Sequence, residues 1–194
     1  MSTPVRRAGR ATLPDGRAII WSVADGRRGR RWRAETIRDD RLESSLLLEV
    51  GVDGRPARLE LATPAGLLTL HPEATGELHG NAVTGGGVRH LRFEWSDEHG
   101  LEVDGLPIPS VVTASRLAPA VAAGEGRTVP VVVVGPDLTV RAGQRRYRRL
   151  DERSWRIDGD GHAQTFSIDH RGLPVWPTAA GEWPLELDER LETR

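Results

Sequence analysis

Seven arginines crowd around the only tyrosine of this chain. Arg141, Arg145, Arg146, Arg148, Arg149, Arg153 and Arg156 bracket Tyr147. If residues 145–149 are extended, Arg145, Tyr147 and Arg149 point to one side and Arg146 and Arg148 to the other. Two guanidinium groups flanking an aromatic ring on a concave face would suit a phosphate, a carboxylate or a sugar headgroup. The plainer alternative is an exposed arginine-rich hairpin paired with Asp151 and Glu152. A second basic run, Arg27-Arg28-Gly29-Arg30-Arg31-Trp32-Arg33, offers Trp32 as a stacking platform for a nucleic acid. The same residues also fit a solvated loop entering a strand, because residues 32–37 can alternate inward and outward.

Other chemistry is harder to assemble. The six histidines are His71, His79, His90, His99, His162 and His170. No pair has the i,i+2 or i,i+4 spacing of a strand or helix metal site, and there is no cysteine to complete a tetrahedral set. Thr84-Gly85-Gly86-Gly87 is not followed by the Lys-Ser/Thr of a phosphate-binding loop, and there is no Gly-x-Ser-x-Gly elbow. The expectation is therefore no metal, no cofactor and no enzyme activity. A net charge of −1 gives no general attraction to nucleic acid or a membrane surface. All 27 basic residues are Arg, and without Cys there are no disulfides. The basic N-terminus lacks the apolar run of a secretory signal, and no segment has the length of a transmembrane helix. These features lead us to expect a soluble, cytoplasmic protein.

The elements that must hold these residues are strands. With 22 Gly and 13 Pro placed at segment ends, many short strands are expected rather than helices. The clearest run is Val129–Val134, closed by Gly135-Pro136. Leu138, Val140 and Ala142 follow in alternation, then Trp155 and Ile157, then Phe166 and Ile168, with Gly159-Asp160-Gly161 as a turn. This predicts an antiparallel meander. Earlier, Ala18–Trp21, residues 42–50, Ala57–Leu61, Leu67–Leu70, Leu78–Val83 and the alternating Leu91, Phe93 and Trp95 predict further strands, with turns at Val52–Arg55 and Thr63–Gly66. Residues 42–50 also fit a helical period. Leu91, Phe93, Trp95, Trp155, Ile157, Phe166 and Ile168 should share one core or cavity. Pro107 and Pro109 argue against helix there, and Leu117–Gly124 is the best short-helix candidate. Asp97-x-x-Gly100-Leu101 repeats as Asp169-x-x-Gly172-Leu173, either a duplicated β unit or two common turns. Trp176-Pro177 and Trp183-Pro184 suggest an extended strap over the sheet.

Several of these residues carry a resemblance to the bacterial glycolipid-binding family, β-roll proteins with no assigned enzyme activity. They are Arg116-Leu117, Val131–Val134, Pro136-x-Leu138-x-Val140, Gln144 with Tyr147, Trp155-Arg156 and Asp169-x-x-Gly172-Leu173, with Gly80-Asn81-x-Val83 and Leu91–Trp95 matching more loosely. The resemblance covers residues 75–185. The chain carries a single Arg116 where the family tends to have a paired Arg. The resemblance implies a curved sheet similar to lipoprotein carriers, and an amphiphilic ligand.

The sequence thus predicts one mostly β domain over residues 1–194, with 1–15 and 188–194 frayed. Its antiparallel sheet is strongly curved, a β-roll or half-barrel, with one or two short helices. The expected function is non-enzymatic binding of a glycolipid- or fatty-acid-like molecule in the concavity of the sheet. Tyr147, Arg145, Arg149, Trp95, Trp155 and Phe166 are the candidate contacts. The alternative is a protein or nucleic-acid interaction module using the arginine-rich surfaces.

Overall fold

Alternation builds the first half of the chain. The computed structural model describes residues 6–13, 15–160, 162–174 and 186–187. Eight strands follow one another as hairpins: β1 (Arg6–Thr12), β2 (Ala18–Gly26), β3 (Gly29–Arg38), β4 (Arg41–Val50), β5 (Pro56–Thr63), β6 (Gly66–Glu73), β7 (Glu77–Thr84) and β8 (Gly87–Glu94). In β2–β4 and most of β5–β7 buried residues alternate with more exposed ones, so Trp21, Trp32, Leu46, Leu48, Leu59, Leu61, Leu68 and Leu70 line one face. Each such side chain contributes roughly 1.5–3 kcal/mol of burial. The period of two in residues 42–50 therefore wins over the helical one. The β3–β4 hairpin turns on Asp39 and Asp40, both at positive φ, as a tight two-residue connection requires. Trp32 is fully buried against Trp21, with ring centroids 5.6 Å apart, so it is not a stacking platform on the surface.

Residues 6–12, expected to fray, form β1. The described tail residues Glu186–Leu187 form β14, which pairs antiparallel with Gly9 and Arg10 of β1. They extend the sheet at its edge. The strap expected at Trp176–Trp183 lies outside the described residues. The result is a curled nine-stranded sheet in the order β14-β1-β2-β3-β4-β5-β6-β7-β8.

After β8 the chain leaves this sheet. A second sheet of five strands holds β9 (Gly100–Val103), β10 (Gly126–Val134), β11 (Val140–Arg149), β12 (Ser154–Gly159) and β13 (His162–Ser167), in the order β13-β12-β11-β10-β9. The antiparallel meander β10–β13 is as the alternation predicts. One pair departs from it: β9 and β10 are parallel, and helix α1 (Ile108–Leu117) crosses between them. The two prolines do not forbid this helix. Pro107 caps it and Pro109 lies in its first turn, where a missing N–H costs nothing. The segment after Leu117, expected to be helical, is a turn region. Leu138 is not a strand residue either. It sits in the β10–β11 turn at φ +62, held there by its fully buried side chain.

Helix α1 separates two apolar clusters. Ile108 and Val112 join Leu101, Val103, Val132, Val134 and the inner face of the large sheet. Val111, Ala114 and Leu117 join Val131, Val133, Tyr147, Trp155, Ile157, Phe166 and Ile168. The side chains expected to share one core are thus split. Leu91, Phe93 and Trp95 are only half-buried against the first cluster, while Trp155, Ile157, Phe166 and Ile168 lie in the second. The inner face of the large sheet is not an open concavity, because α1 and β10 fill it. The matching Asp-x-x-Gly-Leu turns differ as well: Gly172 is at φ +73, whereas Gly100 opens strand β9.

Candidate functional site

The polar centre of the protein is Glu102, a residue the sequence did not single out. It lies mid-way along β9, a four-residue strand buried on both faces. A carboxylate there must be partnered. Arg145 on β11 donates through Nε to Oε2 at 2.8 Å, and Tyr147 donates through its hydroxyl to Oε1 at 3.1 Å. The extended geometry of β11 puts Arg145 and Tyr147 on the same side, two residues apart, as the sequence implies. Burial pushes the Glu102 carboxyl above its ordinary range despite Arg145 and Tyr147 beside it. Burial and the same carboxylate push the Tyr147 phenol well up, so it acts as a neutral donor.

From Glu102 the network runs outward. Arg145 Nη2 reaches Asp160 Oδ2 at 2.7 Å, and Arg141 Nη1 reaches the same oxygen at 2.8 Å. Arg145 also donates through Nη1 to the Gln144 carbonyl at 3.1 Å. These two contacts hold Asp160 below the usual carboxylate range, with the Arg145 hydrogen bond the larger cause. The stem of Arg145 passes over Gly159. A Cβ on Gly159 would lie 2.3 Å from Arg145 Cδ, so a side chain there would force Arg145 off its path although the backbone φ is ordinary. Gly159 and Asp160 are thus parts of the charged network as well as of a turn.

Two clefts flank the β9–α1 turn. A charged one of about 420 Å³ is lined by Glu102, Ser110, Arg141, Arg145, Asp160 and Gln164. An apolar one of about 490 Å³ lies between the β3–β6 end of the large sheet and the β10–β11 turn, lined by Leu61, Thr63, Pro64, Ala65, Leu106 and Pro136. Both share Val103, Asp104 and Leu106. The wall between them is the β9–α1 turn, closed by Leu106 N–H donating to the Val103 carbonyl at 3.0 Å. At the back of the apolar cleft the buried hydroxyls of Thr36 and Ser44 satisfy one another at 2.6 Å.

Of the six residues proposed from sequence, the fold brings only Arg145 and Tyr147 together in this network. Trp155 and Phe166 are packed in the second cluster. Trp95 stacks on His99 with centroids 5.2 Å apart, at the start of the connection to β9. Arg149 lies over Trp155 and donates to the carbonyls of Ala118, Val121, Asp151 and Glu152, tying the turn after α1 to the β11–β12 loop. Arg116 is likewise a clamp, donating to the carbonyls of Asp97, Glu98 and His99. Gln164 and Glu102 were missed, and Arg141, part of the arginine cluster, was not among the candidate contacts. Among the described residues, no cluster of three or more His, Asp or Glu could hold a metal ion, and no helix is long and apolar enough to cross a membrane.

This is a mostly β protein of two sheets around one buried helix, with an ionic cluster at the end of that helix. The same fold occurs in a crystal structure of a DUF1089 family protein from Pseudomonas aeruginosa, with a TM-score of 0.55 at 16% sequence identity. The match covers 94% of this chain and 93% of that one. At such identity the likeness is one of fold. No family model matches the sequence, and no curated protein matches it. None of these comparisons supports the glycolipid-binding resemblance.

Proposed function

We propose that this chain is a non-enzymatic binding protein for an amphiphilic small molecule. The observation that carries the reading is the closeness of the two clefts, which have Val103, Asp104 and Leu106 as common lining. An alkyl chain fits the apolar cleft beside Leu61, Ala65, Leu106 and Pro136, and a polar head fits the charged cleft beside Arg141, Arg145 and Gln164. Each cleft has a size usual for small-molecule sites, roughly 300–1,000 Å³. The ligand then lies at the end of the curled sheet and not in its concavity. Arg149 and Trp155 take no part in contacting it, since their side chains serve the fold.

The test is a titration of a fluorescent fatty-acid or glycolipid probe into the wild-type protein and an Ala65→Trp variant. Ala65 is half-buried on the β5–β6 turn, so an indole there would block the apolar cleft with little cost to the core. The wild type should bind and the variant should not. Absence of binding by the wild type would sink the reading, and equal binding by both would move the alkyl site elsewhere.

A further inference from the structure

We propose that the charged cleft selects an anionic headgroup, a carboxylate or phosphate ester held between Arg141 and Arg145, and that Asp160 is a built-in competitor for that place. This rests on the amphiphile reading above and specifies its headgroup. One oxygen of Asp160 serves both guanidinium groups, at 2.7 and 2.8 Å. A single carboxylate oxygen thus sits where an incoming anion would be bound. The two sides of this contact are anchored very differently. The Arg145 side chain is only 8% exposed and is pinned by Glu102, by the Gln144 carbonyl and by its passage over Gly159. The Asp160 side chain is 48% exposed and sits on a hairpin turn at φ +50. Arg141 is similarly accessible, at 47%.

Charge argues the same way. With Asp160 turned out, Glu102 still occupies the Nε side of Arg145, and Asp104 is 3.9 Å from Arg141. The outward N–H groups of both forks are then left without the anion they now share. An entering carboxylate or phosphate restores that charge, and its additional oxygens can serve the two forks separately, which one Asp160 oxygen does not. A neutral head cannot replace a carboxylate there without leaving the arginines short of an acceptor. The apolar cleft across Val103–Leu106 would hold the attached chain.

The experiment is titration calorimetry with dodecyl phosphate below its micelle-forming concentration, dodecyl maltoside and inorganic phosphate. The proteins are the wild type, Asp160→Asn, and Asp160→Asn with Arg141→Ala. Asn tolerates the left-handed backbone at this position, so the hairpin is kept. Removing a partly exposed competing carboxylate should tighten dodecyl phosphate binding about fivefold. Dodecyl maltoside affinity should stay unchanged, and Arg141→Ala should abolish the gain. Equal dodecyl phosphate affinity in wild type and Asp160→Asn overturns the proposal while leaving amphiphile binding standing. Inorganic phosphate gaining fivefold, with dodecyl phosphate no tighter than it, would uphold the anion site but assign it to a free anion. No binding of any probe to either protein would remove both readings.

Discussion

Gly159→Ala is the substitution that most sharply separates this structure from a generic hairpin. Gly159 ends β12 at an ordinary φ, so a Gly→Ala change on backbone grounds alone should stabilise the protein by about 0.4–1 kcal/mol. The structure predicts the opposite. The new methyl would stand 2.3 Å from Arg145 Cδ and 2.9 Å from its Nε, so the arginine must leave its path. Glu102 would then keep only the Tyr147 hydroxyl. Stranding one member of a buried ion pair costs about 3–5 kcal/mol. Net of the backbone gain, the expected loss is about 2–4 kcal/mol. Urea unfolding at neutral pH, followed by circular dichroism, measures it. Two controls sharpen the test. In an Arg145→Ala background, the further change Gly159→Ala should cost almost nothing, since the methyl then meets no guanidinium stem. At lower pH the penalty should shrink, because Glu102 can take up a proton once Arg145 is gone. A neutral or stabilising Gly159→Ala in the wild-type background would mean that Arg145 does not cross Gly159, and the description of the charged cleft would fail with it.

Trp155→Ala should cost about 3–5 kcal/mol, because the indole is fully buried between α1 and β11–β13. Trp95→Ala should cost only about 1–2 kcal/mol, because that ring is half-buried, and denaturant titrations of the two variants check the ordering. Arg149→Lys should lose about 2 kcal/mol in the same assay, since an ammonium cannot reproduce a fork shared among four carbonyls. The pH dependence of stability should carry two opposite contributions. Asp160, held low by Arg145 and Arg141, contributes stability that is present above the ordinary Asp value of 3.8 and lost as pH falls through its native value. Glu102, raised by burial, contributes stability that is full below 4.5 and lost as pH rises through its native value. Asp160→Asn should therefore flatten the acid side of a stability–pH curve, and Glu102→Gln should flatten the decline above it.

Much of the fold was legible because period-two alternation is a strong signal in hairpins. Leu46/Leu48, Leu59/Leu61 and Leu68/Leu70 declare their inner face directly. The same alternation placed Arg145 and Tyr147 on one side of β11. What was not legible depends on contacts distant in sequence. Helix α1 begins at a Pro-Ile-Pro step that reads as extended unless one knows that the prolines occupy the cap and first turn, where they are harmless. The parallel pairing of β9 with β10 joins strands with a whole helix between them, and no local pattern marks it. Glu102 looked like the ordinary polar member of an alternating strand. Leu101 and Val103 share one face of β9 and Glu102 takes the other, and only the tertiary fold buries that second face. Gly159-Asp160-Gly161 read fully as turn chemistry, which hid the role of Gly159 in letting Arg145 pass and of Asp160 in covering two arginines. Arg149 was drawn to a ligand role by its charge, whereas the fold gives it, like Arg116, to backbone carbonyls.

The central claim is that an apolar cleft and a charged cleft act on one molecule. A series of butyl, hexyl, octyl and decyl phosphates, titrated calorimetrically into the wild-type protein, tests it most directly. If the alkyl chain enters the cleft beside Leu61, Ala65 and Leu106, affinity should rise by up to about fourfold for each added methylene and level off when the cleft is full. In Ala65→Trp, with the apolar cleft blocked, affinity should not rise with chain length. An affinity that does not change from butyl to decyl phosphate would contradict the account.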